Sequence, residues 1–334
     1  MKQSSFFRRA TALLCALSLS VPAASAASFQ YEEILQTRQQ IVDGLTYYNT
    51  IAATGGGRVE SYLLEMKKSA DVSPLLTSAD GTIYGGATIS SAVKYAREQG
   101  HHVLAAINTD FFSSSSGVPM GIVIQDGEYQ SGPEKEAAIF INKDGKFEYC
   151  AEPEITMTLI NERTDEEIQP HHFNKLRNAI GGMYLLNDDF STVSTRSTGS
   201  GWYVLMKPVE KDADETLTVN CELELEVTEM FRYDQAIAIR EGEYILTADD
   251  KSNLDDVYAS FEIGDRITLT TECKDRSLRK AQWASGCGDL MIDDRELTDS
   301  SDWSFTTDGR QPRTALGVKK DGTVLLYAVD GRFP

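Results

Sequence analysis

Asp-Gly recurs along this chain at 80–81, 126–127, 144–145, 308–309, 321–322 and 330–331, and most of these pairs stand between apolar runs. A type I′ turn needs positive φ at both central residues, which Asp and Gly tolerate, so such pairs mark hairpins. The clearest joins the apolar run Ala137–Asn142 to Phe147–Cys150 across Lys-Asp-Gly-Lys. A second joins 314–319 to 324–329 across Lys-Asp-Gly-Thr. Between them, Leu217, Val219, Cys221, Leu223, Leu225 and Val227 alternate with mostly polar or acidic residues. A period of two describes a strand with one wet face. The chain reads as mostly strand.

Helical signals are few. Residues 88–99 carry Ile89, Ala92, Val93 and Ala96 at helical spacing, with Thr88 or Ser90 as cap and Gly100 as stop. A strand-like stretch, 102–107, follows directly. Ser252 is expected to cap a second helix over 253–261, and 31–45 is expected to form a third. Gly55-Gly56-Gly57 precedes a strand pattern rather than opening a helix, so it reads as a loop and not a phosphate cradle. Ser113 to Ser116 reads as a flexible loop.

The first residues carry an export signal. Lys2, Arg8 and Arg9 precede an apolar run of about fourteen residues, 10–23, and Ala24-Ser25-Ala26 offers small residues for cleavage after Ala26. That run is shorter than the ~20 residues a membrane span needs. Cys15 follows Leu14 inside it, which argues against a lipoprotein anchor. The expected organisation is a signal peptide over 1–26, a helical or linker segment over 27–61, and one domain over 62–334. An acidic, strand-rich insertion near 209–275 reads as a solvated face, because no loop there has the calcium-binding Asp-x-Asp-x-Asp-Gly spacing.

Charge and cysteines exclude some classes. Lys plus Arg number 32 against 51 for Asp plus Glu, a net charge of −19, which argues against a nucleic-acid or anionic-membrane binder. After Cys15 the chain holds Cys150, Cys221, Cys273 and Cys287, with no Cys-x-x-Cys knuckle. An exported chain leaves both disulfides and buried thiols open for these four. His101-His102 and His171-His172 are adjacent pairs whose side chains point different ways. Neither His-Glu-x-x-His nor Gly-x-Ser-x-Gly occurs, so a protease or esterase has no marked nucleophile or metal site.

Three segments place polar residues where apolar strands begin or end. Asn108-Thr109-Asp110-Phe111-Phe112 follows one, Arg313-Thr314 opens a second, and Asp330-Gly331-Arg332 closes a third. Singly, each reads as turn chemistry or a surface ion pair. Together with Tyr84-Gly-Gly-Ala-Thr88, with 117–127 and with Ala284-Ser-Gly-Cys-Gly288, they occur in an order that resembles the phosphodiester glycosidase family. That is the family of the N-acetylglucosamine-1-phosphodiester α-N-acetylglucosaminidases and their secreted bacterial relatives. The likeness runs from about Tyr62 to the last residue.

The resemblance implies an α+β fold, strand-rich, with a large mixed sheet and a few helices. It implies hydrolysis of a sugar-1-phosphodiester of the N-acetylglucosamine type, on glycans or exopolysaccharide, between the anomeric carbon and its oxygen. The residue types suit that reaction. A phosphate leaving group is a stable anion that needs little protonation, and Arg313 and Arg332 offer it planar forks of donors. A carboxylate at the sugar carbon stabilises oxocarbenium-like charge or activates water, and Asp110 and Asp330 are the expected catalytic pair. Asn108, Thr314 and Gly286 are expected at the substrate, with Phe111 or Phe112 packing on the sugar ring. No cofactor is expected, and no motif assigns a metal ligand. The expected partner is a sugar phosphodiester or cell-surface glycan, with no nucleic acid and, after signal cleavage, no membrane.

One departure counts. The family pattern continues past Asp-Gly-Arg into a helix and a Gly-rich segment, whereas this sequence ends at Pro334. The chain is therefore expected to be a C-terminally truncated piece. The alternative function, from a different class, is a catalytically silent glycan-binding or cell-envelope domain on the same fold.

Overall fold

A computed structural model of the chain describes residues 31–78, 80–134, 136–212, 215–303 and 310–331. Arg332 and the expected signal peptide lie outside the described residues. The fold is α+β and strand-rich, with two short α-helices among the described residues, Ile89–Glu98 and Asp255–Ala259. Neither helix is long and apolar enough to cross a membrane.

An eight-stranded mixed sheet dominates. Its order is His172–Phe173, Met183–Leu186, Tyr244–Asp249, Gly201–Pro208, Glu222–Tyr233, Arg266–Cys273, Ile155–Asn161 and Glu166–Ile168. The first pair is parallel and the others antiparallel. The period of two read over 217–227 holds: Leu223, Leu225 and Val227 are buried while Glu222 is exposed. On the wet side, Arg266 pairs with Glu224 at 3.4 Å and Glu226 at 3.1 Å. The acidic stretch thus supplies a central strand of the largest sheet and turns its carboxylates outward.

The strand Gly201–Pro208 is buried on both faces. Trp202, Val204 and Met206 enter the larger hydrophobic cluster with Leu159, Leu225, Leu246 and Ile267. Tyr203 and Leu205 enter a second cluster with Leu186, Phe190, Ile245, Ile83, Val118 and Val123. This second cluster anchors the two segments that flank the candidate site, 83–84 and 118–123.

A five-stranded antiparallel sheet follows the order Glu128–Ser131, Val123–Gln125, Ala281–Cys287, Ala137–Asn142, Phe147–Cys150. Asp126 and Gly127 join its first two strands at φ 52° and 86°, both positive, as the turn chemistry requires. Another five-stranded sheet runs Tyr31–Val42, Leu45–Thr54, Gly57–Met66, Val324–Asp330, Arg313–Val318. Both expected hairpins, at 144–145 and 321–322, are present. Cys150, Cys221, Cys273 and Cys287 are free thiols.

Three expectations need correction. Residues 31–45 are not helical: Tyr31–Val42 is a strand that returns through Asp43-Gly44, with Gly44 at φ 77°, into Leu45–Thr54. That Asp-Gly pair is a hairpin signal of the same kind as the other six. The second helix is shorter than 253–261, because Ser252 Oγ accepts only the Leu254 N–H at 3.3 Å, ahead of the first turn. The apolar stretch 102–107 forms no ladder, since no strand lies beside it among the described residues, and it stays exposed or half-buried. The first helix is as expected: Thr88 caps it, accepting the Ser91 N–H at 3.2 Å.

Candidate active site

The segment Asn108–Asp110 lies between the two five-stranded sheets and is bonded to both. On one side Thr314, on the strand Arg313–Val318, donates its hydroxyl to Asn108 Oδ1 at 2.9 Å. On the other, the Thr109 and Ser285 hydroxyls share a hydrogen bond of 3.1 Å. Ser285 belongs to the buried strand Ala281–Cys287, so the segment is pinned to a rigid element.

Asp110 sits at φ 62°, a left-handed conformation unusual for a residue with a Cβ. Its carboxylate explains the geometry. Oδ1 accepts the Phe111 N–H at 2.6 Å, and Oδ2 accepts the Gly121 N–H at 3.0 Å. Two glycines make room for it. A Cβ on Gly286 would lie 2.4 Å from Asp110 Oδ1, and one on Gly121 would lie 2.3 Å from the Gly286 Cα. Gly286, expected at the substrate, backs the carboxylate.

Burial dominates the electrostatics here. It pushes Asp110 up to about 6, with Glu136 adding to the rise. The Gly121 and Phe111 amides and the Lys175 charge pull the other way. Burial also pushes the neighbouring Cys287 thiol up to about 12, helped by Asp110, Asp289 and Glu136, so it stays protonated at neutral pH. A carboxylate near 6 is ionised at neutral pH and close enough to it to exchange a proton with a reacting group.

The segment 111–120, which follows Asp110, forms a tight loop. Met120 N–H donates to Phe111 O at 2.9 Å, Ser113 N–H to Val118 O at 2.9 Å, and Gly117 N–H to Ser113 O at 2.7 Å. Its turn 113–116 is thus hydrogen-bonded rather than loose. Phe111 and Phe112 are 45% and 61% exposed, leaving two aromatic faces beside Asp110 open to a ligand.

The remaining expected residues sit on the adjoining sheet. Arg313 opens its edge strand next to Thr314 and lies across from Val329, while Asp330, one residue on, lies across from Glu60. Gly331 is pressed on the Gln311 backbone, where a Cβ would come within 2.2 Å. The structure thus brings Asn108, Asp110, Gly286 and Thr314 into one bonded assembly, and Arg313 is the residue before Thr314 on the same strand. Among the described residues no group of three or more His, Cys, Asp or Glu side chains is arranged to hold a metal ion.

Sequence reading missed Gly121, Ser285 and Lys175 as individuals. Gly121 and Ser285 stood inside segments already marked by their order. Lys175 had no signal, because its partners are backbone carbonyls.

Residues 219–334 match the model of the phosphodiester glycosidase family. The matched part contains Gly286, Arg313, Thr314, Asp330 and Arg332. Two solved structures share the fold. A hypothetical protein from Synechocystis superposes with a TM-score of 0.67 at 16% identity, covering 90% of this chain and 56% of its own. A protein of Burkholderia pseudomallei K96243 described as exported gives 0.65 at 12% identity, covering 92% and 86%. This chain therefore spans just over half the length of the Synechocystis protein. No curated protein matches it.

Proposed function

We propose that the protein is an exported hydrolase of sugar-1-phosphodiesters, of the N-acetylglucosamine-1-phosphodiester type. The observation that carries this reading is the Asp110 carboxylate, seated between Gly121 and Gly286 in a segment tied through Asn108 to Thr314. The match of residues 219–334 to the phosphodiester glycosidase model supports the reaction class. The n-region, apolar run and small-residue cleavage site support export, as does the description of the Burkholderia protein.

In this reading Asp110 acts in its ionised form. It takes a proton from water as the water oxygen bonds to the anomeric carbon, and the bond from that carbon to the phosphate oxygen breaks. The electron pair leaves with the phosphomonoester. Arg313 stabilises the charge gathering on that group with its fork of donors, and Asp330 serves as the second carboxylate. Phe111 and Phe112 supply the apolar face for the sugar. The acidic surface favours a small or singly charged diester over a long polyanion, whose approach it would slow.

The test is release of N-acetylglucosamine from a simple N-acetylglucosamine-α-1-phosphodiester by the purified protein, beside Asp110→Asn and Asp330→Asn. Wild-type release, reduced about 100-fold or more in variants that keep the wild-type circular dichroism, is the expected result. A folded wild type that releases no sugar overturns it. One observation favours the second reading, a silent glycan-binding domain: both Asp110 oxygens already accept backbone N–H bonds, as a purely architectural carboxylate's would. That reading requires glycan binding without turnover, unchanged in Asp110→Asn.

A further inference from the structure

Lys175 lies outside every motif of the chain and is only 4% exposed. A buried ammonium is costly unless its donors are met. Here all three are: Nζ donates to the carbonyl oxygens of Pro119 at 2.6 Å, Met120 at 3.3 Å and Gly121 at 3.0 Å. Among the described residues it makes no direct ion pair, so its charge is held by peptide dipoles. The second of those peptides also reaches Asp110. The Met120–Gly121 peptide presents its C=O to Lys175 and its N–H to Asp110 Oδ2, at 3.0 Å. Ammonium, peptide and carboxylate stand in series. A cation on the carbonyl end polarises the peptide and strengthens its N–H as a donor.

We propose that Lys175 is a positioning residue for Asp110: it fixes the Met120–Gly121 peptide so that its N–H faces the carboxylate, and its charge keeps that carboxylate ionised. The inference rests on the reading of Asp110 as the reacting group. Glu134 donates its backbone N–H to Met120 O at 3.1 Å, and its carboxylate lies 3.5 Å from His172 Nδ1. Glu136 and the Cys287 thiol, with Asp289 beyond it, face Asp110 and add negative or neutral surroundings. Lys175 thus supplies a positive charge that lowers Asp110 against these groups. Burial lowers Lys175 itself to about 8, against the pull of Glu134 and Asp110, so its charge is present wherever Asp110 titrates.

The test reads the carboxylate without substrate. Protein labelled with carbon-13 at the Asp carboxyl groups and nitrogen-15 at Gly is titrated by NMR as wild type, Lys175→Met and Lys175→Arg. The expected Asp110 midpoint rises by about one pH unit in Lys175→Met and returns most of the way in Lys175→Arg. In wild type the Gly121 amide is expected to move twice, once with Asp110 near 6 and again with Lys175 near 8. An unshifted midpoint in a folded Lys175→Met overturns the proposal. If neither variant folds, a Gly121 amide that follows only one midpoint overturns it. The acidic limb of kcat/KM should move with the NMR midpoint. A wild type that titrates as expected but releases no sugar refutes the hydrolase reading and leaves the coupling of Lys175 to Asp110 in place.

Discussion

Thr314 and Asn108 stand 206 residues apart and are joined by one hydrogen bond of 2.9 Å, from the Thr314 hydroxyl to Asn108 Oδ1. That bond couples the strand carrying Arg313 to the segment carrying Asp110. Arg313 sits on a sheet strand and Asp110 in a segment outside the sheets, so their relative placement depends on this link. Thr314→Val keeps the shape and removes the donor. Both residues are exposed, so the loss of stability is expected to stay below about 1 kcal/mol. Sugar release is expected to fall roughly 10- to 100-fold, because misplacing a phosphate donor relative to a carboxylate costs alignment. Steady-state kinetics beside a thermal melt checks both halves. A large loss of stability would show that the bond is architectural.

Gly286→Ala tests the seat of the carboxylate. The added Cβ would lie 2.4 Å from Asp110 Oδ1 and 2.7 Å from the Gly121 Cα, and the second of these is backbone that cannot swing away. Gly286 does not hold a positive φ, so strain in its own backbone is not the issue. Overpacking of this kind costs about 1–3 kcal/mol. Chemical denaturation is expected to show that loss, together with sugar release reduced at least 100-fold as Asp110 is displaced. Full activity in the variant would remove Asp110 from the reaction.

The pH dependence of turnover follows from the same carboxylate. Burial raises Asp110 to about 6, and a general base works only when ionised. The profile of kcat/KM is therefore expected to rise with pH and level off above a midpoint near 6. A profile that falls through 6 would make Asp110 the acid.

Much of this arrangement was legible in the sequence, and the gaps have physical causes. Asp-Gly pairs located the hairpins at 126–127, 144–145 and 321–322, because each turn needs positive φ at its glycine, a local requirement few residues meet. Thr88 located the start of the helix Ile89–Glu98 for a similar reason. The strand Tyr31–Val42 was misread because its ladder partner, Leu45–Thr54, decides its state, and a short apolar pattern alone does not. Residues 102–107 have the composition of a buried strand, but strandhood needs a neighbour. At the site, Asn108, Asp110, Thr314 and Gly286 were marked by residue type at strand ends. The packing of Gly286 on Asp110 was not legible, since a glycine's contacts depend on what approaches it. Lys175 was invisible, because three carbonyls leave no trace in sequence.

An anionic turn outside the site should set the acid limit of the fold. Asp265 accepts from Arg163 Nε at 2.6 Å and Nη2 at 3.0 Å, from Asn161 Nδ2 at 2.8 Å and from the Glu262 N–H at 2.8 Å. Chiefly through Arg163, these partners hold it down to about 2. A depressed carboxylate contributes stability that is present above its unfolded value near 4 and is lost as pH falls from there toward 2. Asp265→Ala strands the buried Asn161 amide and is expected to cost about 1–3 kcal/mol at pH 7, with less difference from wild type near pH 2.

Asp189 predicts the opposite slope at higher pH. Its carboxylate accepts from Asn187 Nδ2 at 3.0 Å and Gln130 Nε2 at 3.1 Å, and that same Gln130 nitrogen donates to Glu128 at 3.2 Å. Burial first, then the charges of Glu128 and Asp188, push Asp189 up to about 7. The folded state then binds a proton more tightly than the unfolded chain does, so stability falls as pH rises from about 4 to 7. Asp110, raised to about 6, adds to the same slope. Lys175, lowered to about 8, acts only above that, where its deprotonation favours the folded state. Asp189→Asn removes the largest of these contributions while keeping an acceptor for one of the two amides. The variant is expected to be more stable than wild type by about 1–3 kcal/mol at pH 8 and no more stable at pH 4. Urea midpoints at the two pH values decide it. A variant weaker at both would mean that the hydrogen bonds to Asp189 outweigh the repulsion around it.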